Sequence, residues 1–176
     1  MNQPRRVLGL DPGTAITGYG IVCSEGQSLT PVIHGVITTA AGLALPVRLQ
    51  QLYAELRELI RTHQPSVAAV EELYFARNAR TALAVGHARG VILLALAEAG
   101  LEIHSYTPLQ VKKAITGYGR ADKEQVQQMV RLLLSLEAIP QPDDAADALA
   151  VAICHAHSSA VSARLSGLEA GGEGGT

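Results

Sequence analysis

Cysteine is scarce. The chain has two, Cys23 and Cys154, in apolar segments far apart in the sequence. No disulfide framework can be built from them, and they read as free buried thiols, with a disulfide or metal pair the weaker alternative. Long hydrophobic runs are missing too. No apolar stretch reaches the roughly 18 residues that a membrane span requires. The stretch behind Arg5-Arg6 is only Val7-Leu8-Gly9-Leu10 before Asp11 interrupts it. That is too short for the core of a signal peptide, so a cytoplasmic protein with no membrane partner is expected. Charged residues are few, 17% against 48% hydrophobic, which excludes a globally disordered chain. There is no Walker A motif. Gly18-Tyr19-Gly20 lacks the third glycine of a dinucleotide fingerprint and reads as a strand of small residues. Cys154-His155-Ala156-His157 is rich in ligand atoms, but positions two apart on a helix point in different directions, so no metal site is expected there.

What is present fits one domain. A chain of 176 residues can bury about 70% of its unfolded surface in a single core. The formal net charge of -2 conceals an uneven distribution. Residues 1–72 carry 5 basic and 6 acidic side chains, residues 73–123 carry 7 and 3, and residues 124–176 carry 2 and 7. A basic middle beside acidic clusters suits a protein that grips phosphates in one place and cations in another, although scatter on a small protein would look the same.

The pattern along the chain predicts strands at 6–10, 17–23 and 31–38, the second and third joined as an antiparallel hairpin. Pro46 opens an amphipathic helix marked by Leu49, Leu52, Tyr53, Leu56, Leu59 and Ile60, and Pro65 closes it. A strand over 67–71 follows, and strand–helix–strand implies parallel pairing. Asn78 is the expected cap of a helix running to 99, in which Gly86 and Gly90 lie one turn apart. A fifth strand is predicted at 102–106, then a short helix near 108–115, an amphipathic helix over 122–134, and a last helix over about 143–157. Residues 158–176, rich in Ser, Ala and Gly, read as a disordered C-terminal tail. The expected fold is α/β, three layers around a five-stranded mixed sheet, with 1–157 as the domain.

Four acids stand out by placement. Asp11 ends the first strand and Glu71 the fourth; Asp144 and Asp147 lie three apart on the last helix, on one face. Carboxyl ends of parallel strands gather at one edge, where ligands usually bind. Asp147 has almost no polar neighbour in sequence, so it faces water or something cationic neutralises it. Carboxylates that converge without His or Cys favour hard cations such as Mg²⁺ or Mn²⁺, and two such ions form the clamp used in phosphoryl chemistry. Plainer accounts stand beside this one. Acids in a first helical turn are favoured by the helix dipole, Asp11 could simply begin a turn, and Glu71-Glu72 could be a solvated strand end.

The words around these acids form a distinctive series. Leu8-Gly9-Leu10-Asp11-Pro12-Gly13-Thr14 is followed by Thr17-Gly18-Tyr19-Gly20. Val70-Glu71-Glu72 is followed by Asn78-Ala79 and His87-Ala88-Arg89-Gly90-Val91. Gln110-Val111-Lys112-Lys113, the loop 117–123, the segment 125–131 and Asp144-Ala145-Ala146-Asp147-Ala148-Leu149-Ala150 complete it. Together they resemble the RuvC family, the Holliday-junction resolvases of bacteria, over residues 6–157 in order. The resemblance implies a ribonuclease H-like fold, a homodimer, and an endonuclease that nicks two strands of like polarity across a four-way DNA junction. It implies 5′-phosphate and 3′-hydroxyl ends, and the branch-migration proteins RuvA and RuvB as partners. The family's catalytic and metal-binding acids fall on Asp11, Glu71, Asp144 and Asp147; Asp144 is chosen over its neighbour Asp143 because it keeps the three-residue spacing. The supporting lysines fall on Lys112 and Lys123, Lys123 also standing as catalytic. Further DNA contacts are expected from Arg77, Arg80 and Arg120, and from Tyr74 or Phe75 stacking on bases. The helix with Gly86, Gly90, Val91, Leu94 and Ala97 is the expected dimer interface, unless that stripe packs on its own sheet. Two other readings stay open. Asp-x-Gly-Thr near an N-terminal strand also occurs in actin-like ATPases and sugar kinases, which need a second similar domain. A catalytically inactive junction-binding protein would have the same fold.

Overall fold

The computed structural model describes residues 4–72 and 79–170, with side chains described from 82 to 161 in the second segment. The elements run β1 (Arg5–Asp11), β2 (Ile16–Glu25), β3 (Ser28–Thr38), α1 (Leu45–His63), β4 (Val67–Glu71), α2 (Ala79–Glu98), β5 (Glu102–Tyr106), α3 (Pro108–Thr116), α4 (Lys123–Leu133) and α5 (Asp143–Ala170). One five-stranded sheet has the order β3-β2-β1-β4-β5. The first three strands are antiparallel, and β4 and β5 pair in parallel with β1 and β4. This is the mixed α/β sheet that the sequence pattern implies.

The hairpin between β2 and β3 is tighter than expected. Gly26-Gln27 alone separates the strands, and Gly26 takes φ +62°, a conformation that glycine adopts without steric cost. Pro31 lies in β3, an edge strand, where its missing N–H is tolerated.

Period two divides the strand residues between two cores. Leu8, Leu10, Ala68 and Val70 pack with Leu52, Leu56, Ile92 and Leu96 of α1 and α2. Val7, Val67 and Ala69 pack on the opposite face with Leu149, Ile153, Val111 and Val126 of α5, α3 and α4. Cys23 and Cys154 are both free, and burial pushes the Cys154 thiol up to about 11.

The last helix continues to Ala170, past the end expected near His157. The backbone of 158–170 is therefore helical where a disordered tail was expected. No proline interrupts this stretch, and its Ala, Leu, Arg and Glu residues favour helix. The stripe on α2 is also settled in part. Ala88, Ile92, Ala95 and Leu96 make the contact with the sheet, whereas Gly90 and Ala97 are exposed and Leu94 is 53% exposed. Val91 alone of the stripe packs against the core. The expected cap, Asn78, lies outside the described residues.

The feature that sets the geometry of the molecule is how closely α5 lies on β1 and β2. A Cβ on Gly9 would strike the carbonyl oxygen of Ala148 and come within 2.6 Å of the Ala152 nitrogen. A Cβ on Gly20 would come within 2.7 Å of the Leu149 side chain, and one on Gly18 would strike the Asp144 carbonyl. On the helix side the facing residues are small: Ala145, Ala148 and Ala152 are fully buried. Because the obstacle at Gly9 is backbone, no rotamer change relieves it. Gly9→Ala should therefore lower stability by about 1–3 kcal/mol through overpacking, read as a lower denaturation midpoint. An unchanged midpoint would show that α5 has slack to move.

Candidate active site

β1 and β4 are neighbours in parallel, with Leu10 opposite Val70. One residue further, at the carboxyl ends of both strands, come Asp11 and Glu71. Strand parity puts them on the α5 side of the sheet, with Val7, Val67 and Ala69. Asp11 is also in register with Gly18 of β2, which lies directly beneath the Asp144 carbonyl. The first turn of α5 is thus laid over the end of β1, and Asp144 and Asp147, three apart, share that side.

The carboxylates feel one another. Burial, then the charge and hydrogen bond of Glu71, then the charges of Asp147 and Asp144 push the Asp11 carboxyl up to about 8. Glu71 is raised by burial and by Asp147, against the Asp11 hydrogen bond and the charges of Lys123 and Lys112. Asp147 is raised by burial and opposed by Lys123. Burial and the neighbouring carboxylates thus favour the protonated form of Asp11 over the charged one. Among the described residues no three acidic, His or Cys side chains are drawn together at ligand spacing around one point. Like charges repel, and Lys123 holds Asp147 to one side.

Lys123 opens α4. Asp122 before it caps the helix by accepting from the Gln125 N–H at 2.8 Å, and Gln125 reaches back to the Asp122 N–H. The Lys123 ammonium stands 3.1 Å from Oδ2 of Asp143 and 3.1 Å from Oδ2 of Asp147. The choice between Asp143 and Asp144 is therefore spatial as well as numerical. Asp144 joins Asp11, and Asp143 turns toward Lys123, which with Gln127 holds its carboxyl below the usual range. Lys112, half-buried on α3, is near enough to Glu71 to favour its ionised form. Arg120 is exposed in the loop between α3 and α4. Tyr74, Phe75 and Arg77 lie outside the described residues, and Arg80 is described only as backbone in the first turn of α2.

Sequence reasoning gave no role to two residues that brace this edge. Arg89 of α2 donates from Nη2 to Ser105 Oγ at 2.9 Å and from Nε to the Glu71 carbonyl at 3.4 Å, fastening the end of β4. An arginine within the apolar stretch of α2 was the available signal. Thr17, 1% exposed, donates to the Gly13 carbonyl at 2.6 Å and ties down the turn after Asp11. The Cys154–His157 segment disperses as expected. His155 Nδ1 pairs with the Tyr106 hydroxyl at 2.9 Å, and His157 faces the Ala114 carbonyl.

A mixed sheet of this order, with acids at the ends of β1 and β4 and on the first turn of a C-terminal helix, defines a ribonuclease H-like nuclease. The fold is shared with RuvC of Thermus thermophilus, solved in complex with a Holliday junction substrate. The two match at TM-score 0.85 and 36% identity, over 90% of this chain and 96% of that one. The family model for crossover junction endodeoxyribonuclease RuvC matches residues 7–155. The crossover junction endodeoxyribonuclease RuvC of Rubrobacter xylanophilus is 60% identical over 157 residues, 89% of this chain and 88% of its own. That of Desulfitobacterium hafniense is 56% identical over 161 residues, 92% and 98% of the two chains. The chain belongs to the RuvC family. The family model and these relatives favour a resolvase over the actin-like or sugar-kinase reading.

The buried acid cluster has a measurable cost. An unfolded Asp loses its proton near pH 4, whereas folded Asp11 keeps it to about 8. Between those values the native state holds the extra proton, so stability falls as pH rises and the penalty is complete above pH 8. Asp11→Asn should stabilise the metal-free protein, by up to about 5 kcal/mol at pH 8 and by less than about 2 kcal/mol at pH 5. Denaturant titrations at the two pH values check this; an equal gain at both would place the benefit elsewhere.

Proposed function

We propose that this protein resolves Holliday junctions by nicking two strands of like polarity, one at each of two identical sites in a homodimer, leaving 5′-phosphate and 3′-hydroxyl ends. The observation that carries the reading is the electrostatic coupling of Asp11, Glu71, Asp144 and Asp147 at one sheet edge, in a chain of this family.

The donor set fits a divalent metal. It is all carboxylate oxygen, which suits Mg²⁺ or Mn²⁺. Among the described residues no cation acts on Asp11, whose burial beside other carboxylates favours its protonated form, a charge imbalance that a bound cation would answer. Asp11 and Glu71 would hold the metal from the sheet side, and Asp144 and Asp147 from the helix side. Metal bound there, two ions in the proposed site, would activate water and stabilise the departing 3′ oxygen. Lys123, beside Asp147, is placed to offset charge on the scissile phosphate, and Lys112 to anchor the phosphate backbone near Glu71. Arg120, with Arg80 and Arg77 in the same basic stretch of sequence, is proposed to contact phosphates, and Tyr74 or Phe75 to stack on bases. A DNA substrate of this kind fits a cytoplasmic protein, and RuvA and RuvB are the proposed partners.

A two-fold enzyme matches a junction of approximate two-fold symmetry. The exposed side of α2 is suited to that contact. Leu83, Gly90, Leu94 and Ala97 recur at helical spacing and point away from the sheet, with Leu83 63% exposed. A Cβ on Gly90 would meet nothing within its own chain. Gly90→Leu should therefore fold with an unchanged melting midpoint but run as a monomer by light scattering, giving single nicks or none. A dimer of undiminished stability would move the interface elsewhere.

The direct test is a synthetic four-way junction, with and without divalent metal. Wild-type protein should give paired, ligatable nicks only with metal. Asp147→Asn should lose cleavage by at least about a hundredfold, in line with the loss of a group that stabilises charge in the transition state, while still shifting the junction in a gel. Binding without cleavage by the wild type would mark an inactive junction-binding protein, and wild-type rates in the variant would remove Asp147 from the site.

A further inference from the structure

Lys123 is shared between two carboxylates that are not equivalent. Asp147 is mostly buried and belongs to the acid cluster, where its charge reaches both Asp11 and Glu71. Asp143 is half-exposed and does not figure among the groups that perturb Asp11. Both offer Oδ2 to the Lys123 ammonium at 3.1 Å. Gln127, one turn beyond Lys123 on α4, is 8% exposed. Its side-chain nitrogen makes no full hydrogen bond within the described residues, yet the amide lies near enough to Asp143 to favour its ionised form. Asp143 is thus held from α4 by Lys123, and it is not needed to complete the set of four acids.

We propose that Asp143 is a positioning residue: it holds the Lys123 ammonium, so that Asp147 can give its oxygen to a divalent cation without leaving Lys123 unpaired. This rests on the reading of Asp147 as a metal ligand. The physical argument is competition. An ammonium and a metal ion cannot both take Oδ2 of Asp147. With Asp143 in place, Lys123 keeps a carboxylate partner when Asp147 is taken. Without it, Asp147 is the one carboxylate among the described residues within ion-pair distance of Lys123, and displacing the ammonium costs that pair. Lys123 also stays fixed beside the cluster, where a phosphate would lie, instead of swinging into solvent.

The test is Mn²⁺ binding to the full-length, DNA-free protein, measured by calorimetry and by the paramagnetic resonance signal of free Mn²⁺. Asp143→Ala and Asp143→Asn should each weaken binding about threefold to tenfold, the scale of a partly exposed ion pair, and Asp143→Glu should restore most of it. Lys123→Ala should bind Mn²⁺ more tightly than wild type. In the Lys123→Ala background, Asp143→Ala should change binding by less than about twofold, since there is no ammonium left to hold. A loss of equal size in both backgrounds would overturn the proposal, because it would mean that Asp143 acts only as a nearby negative charge. No loss in either single Asp143 variant would overturn it as well. The reading of the acid cluster fails separately: a wild-type protein that takes up no Mn²⁺ would overturn that reading and the tether with it. Thermal midpoints within a few degrees of wild type tie the shifts to the site and not to folding.

Discussion

The approach of α5 to the sheet is the constraint on which the rest depends. Three glycines on β1 and β2, facing Asp144, Ala148, Leu149 and Ala152 of the helix, let it lie close against the sheet. Without that distance Asp144 and Asp147 would ride above the ends of β1 and β4 instead of beside them. The same small residues that carry the helix inward make it a poor amphipath, since α5 is apolar on nearly every side from Ala145 to Ala156. A helix so fully buried has few ways to shift, and the acids at its first turn inherit that rigidity.

Rigidity here is obtained against electrostatics. Burial and neighbouring carboxylates raise the proton affinity of Asp11, Glu71 and Asp147. Among the described residues Lys123 and Lys112 favour the ionised form of Glu71, and Lys123 that of Asp147. The groups that act on Asp11 are its carboxylate neighbours. A site that is unfavourable to its own fold and becomes favourable with a bound cation is a common arrangement for acid-based phosphoryl chemistry, in which the energy set aside in folding is recovered on binding.

The supports of the site lie outside it. Arg89 reaches from the opposite layer to fasten the end of β4, and Thr17 closes the turn that follows Asp11. Asp122 and Gln125 cap α4 so that Lys123 begins it. Each fixes a residue of the proposed site without belonging to it. On the other side of the molecule α2 packs by Ala88, Ile92, Ala95 and Leu96 and leaves Leu83, Gly90 and Leu94 outward. The nuclease edge and the outward apolar face are thus borne on separate elements.

Much of this was legible in the amino-acid order, because the signals were local. Apolar runs and β-branched residues marked the strands, the leucines of α1 marked its buried side, and their places at the ends of two parallel strands were enough to send Asp11 and Glu71 to one edge. Three-residue spacing tied Asp144 to Asp147. Other features had no local signal. The outward turn of the α2 stripe could not be read, because Gly86 to Ala97 is small and apolar on both sides and periodicity does not say which side meets the sheet. The helical continuation to Ala170 was masked by a Ser- and Gly-containing composition that suits a tail equally well. The split between Asp143 and Asp144, adjacent and chemically identical, was decided by position: one stands over Gly18 beside Asp11, the other beside Lys123. Residue type and spacing determine which groups a chain can bring to an edge. Which neighbour each group meets depends on residues from β1, β2, β4, α4 and α5 arriving at one place, and only the tertiary structure decides that, because burial and charge act across space without regard to sequence distance.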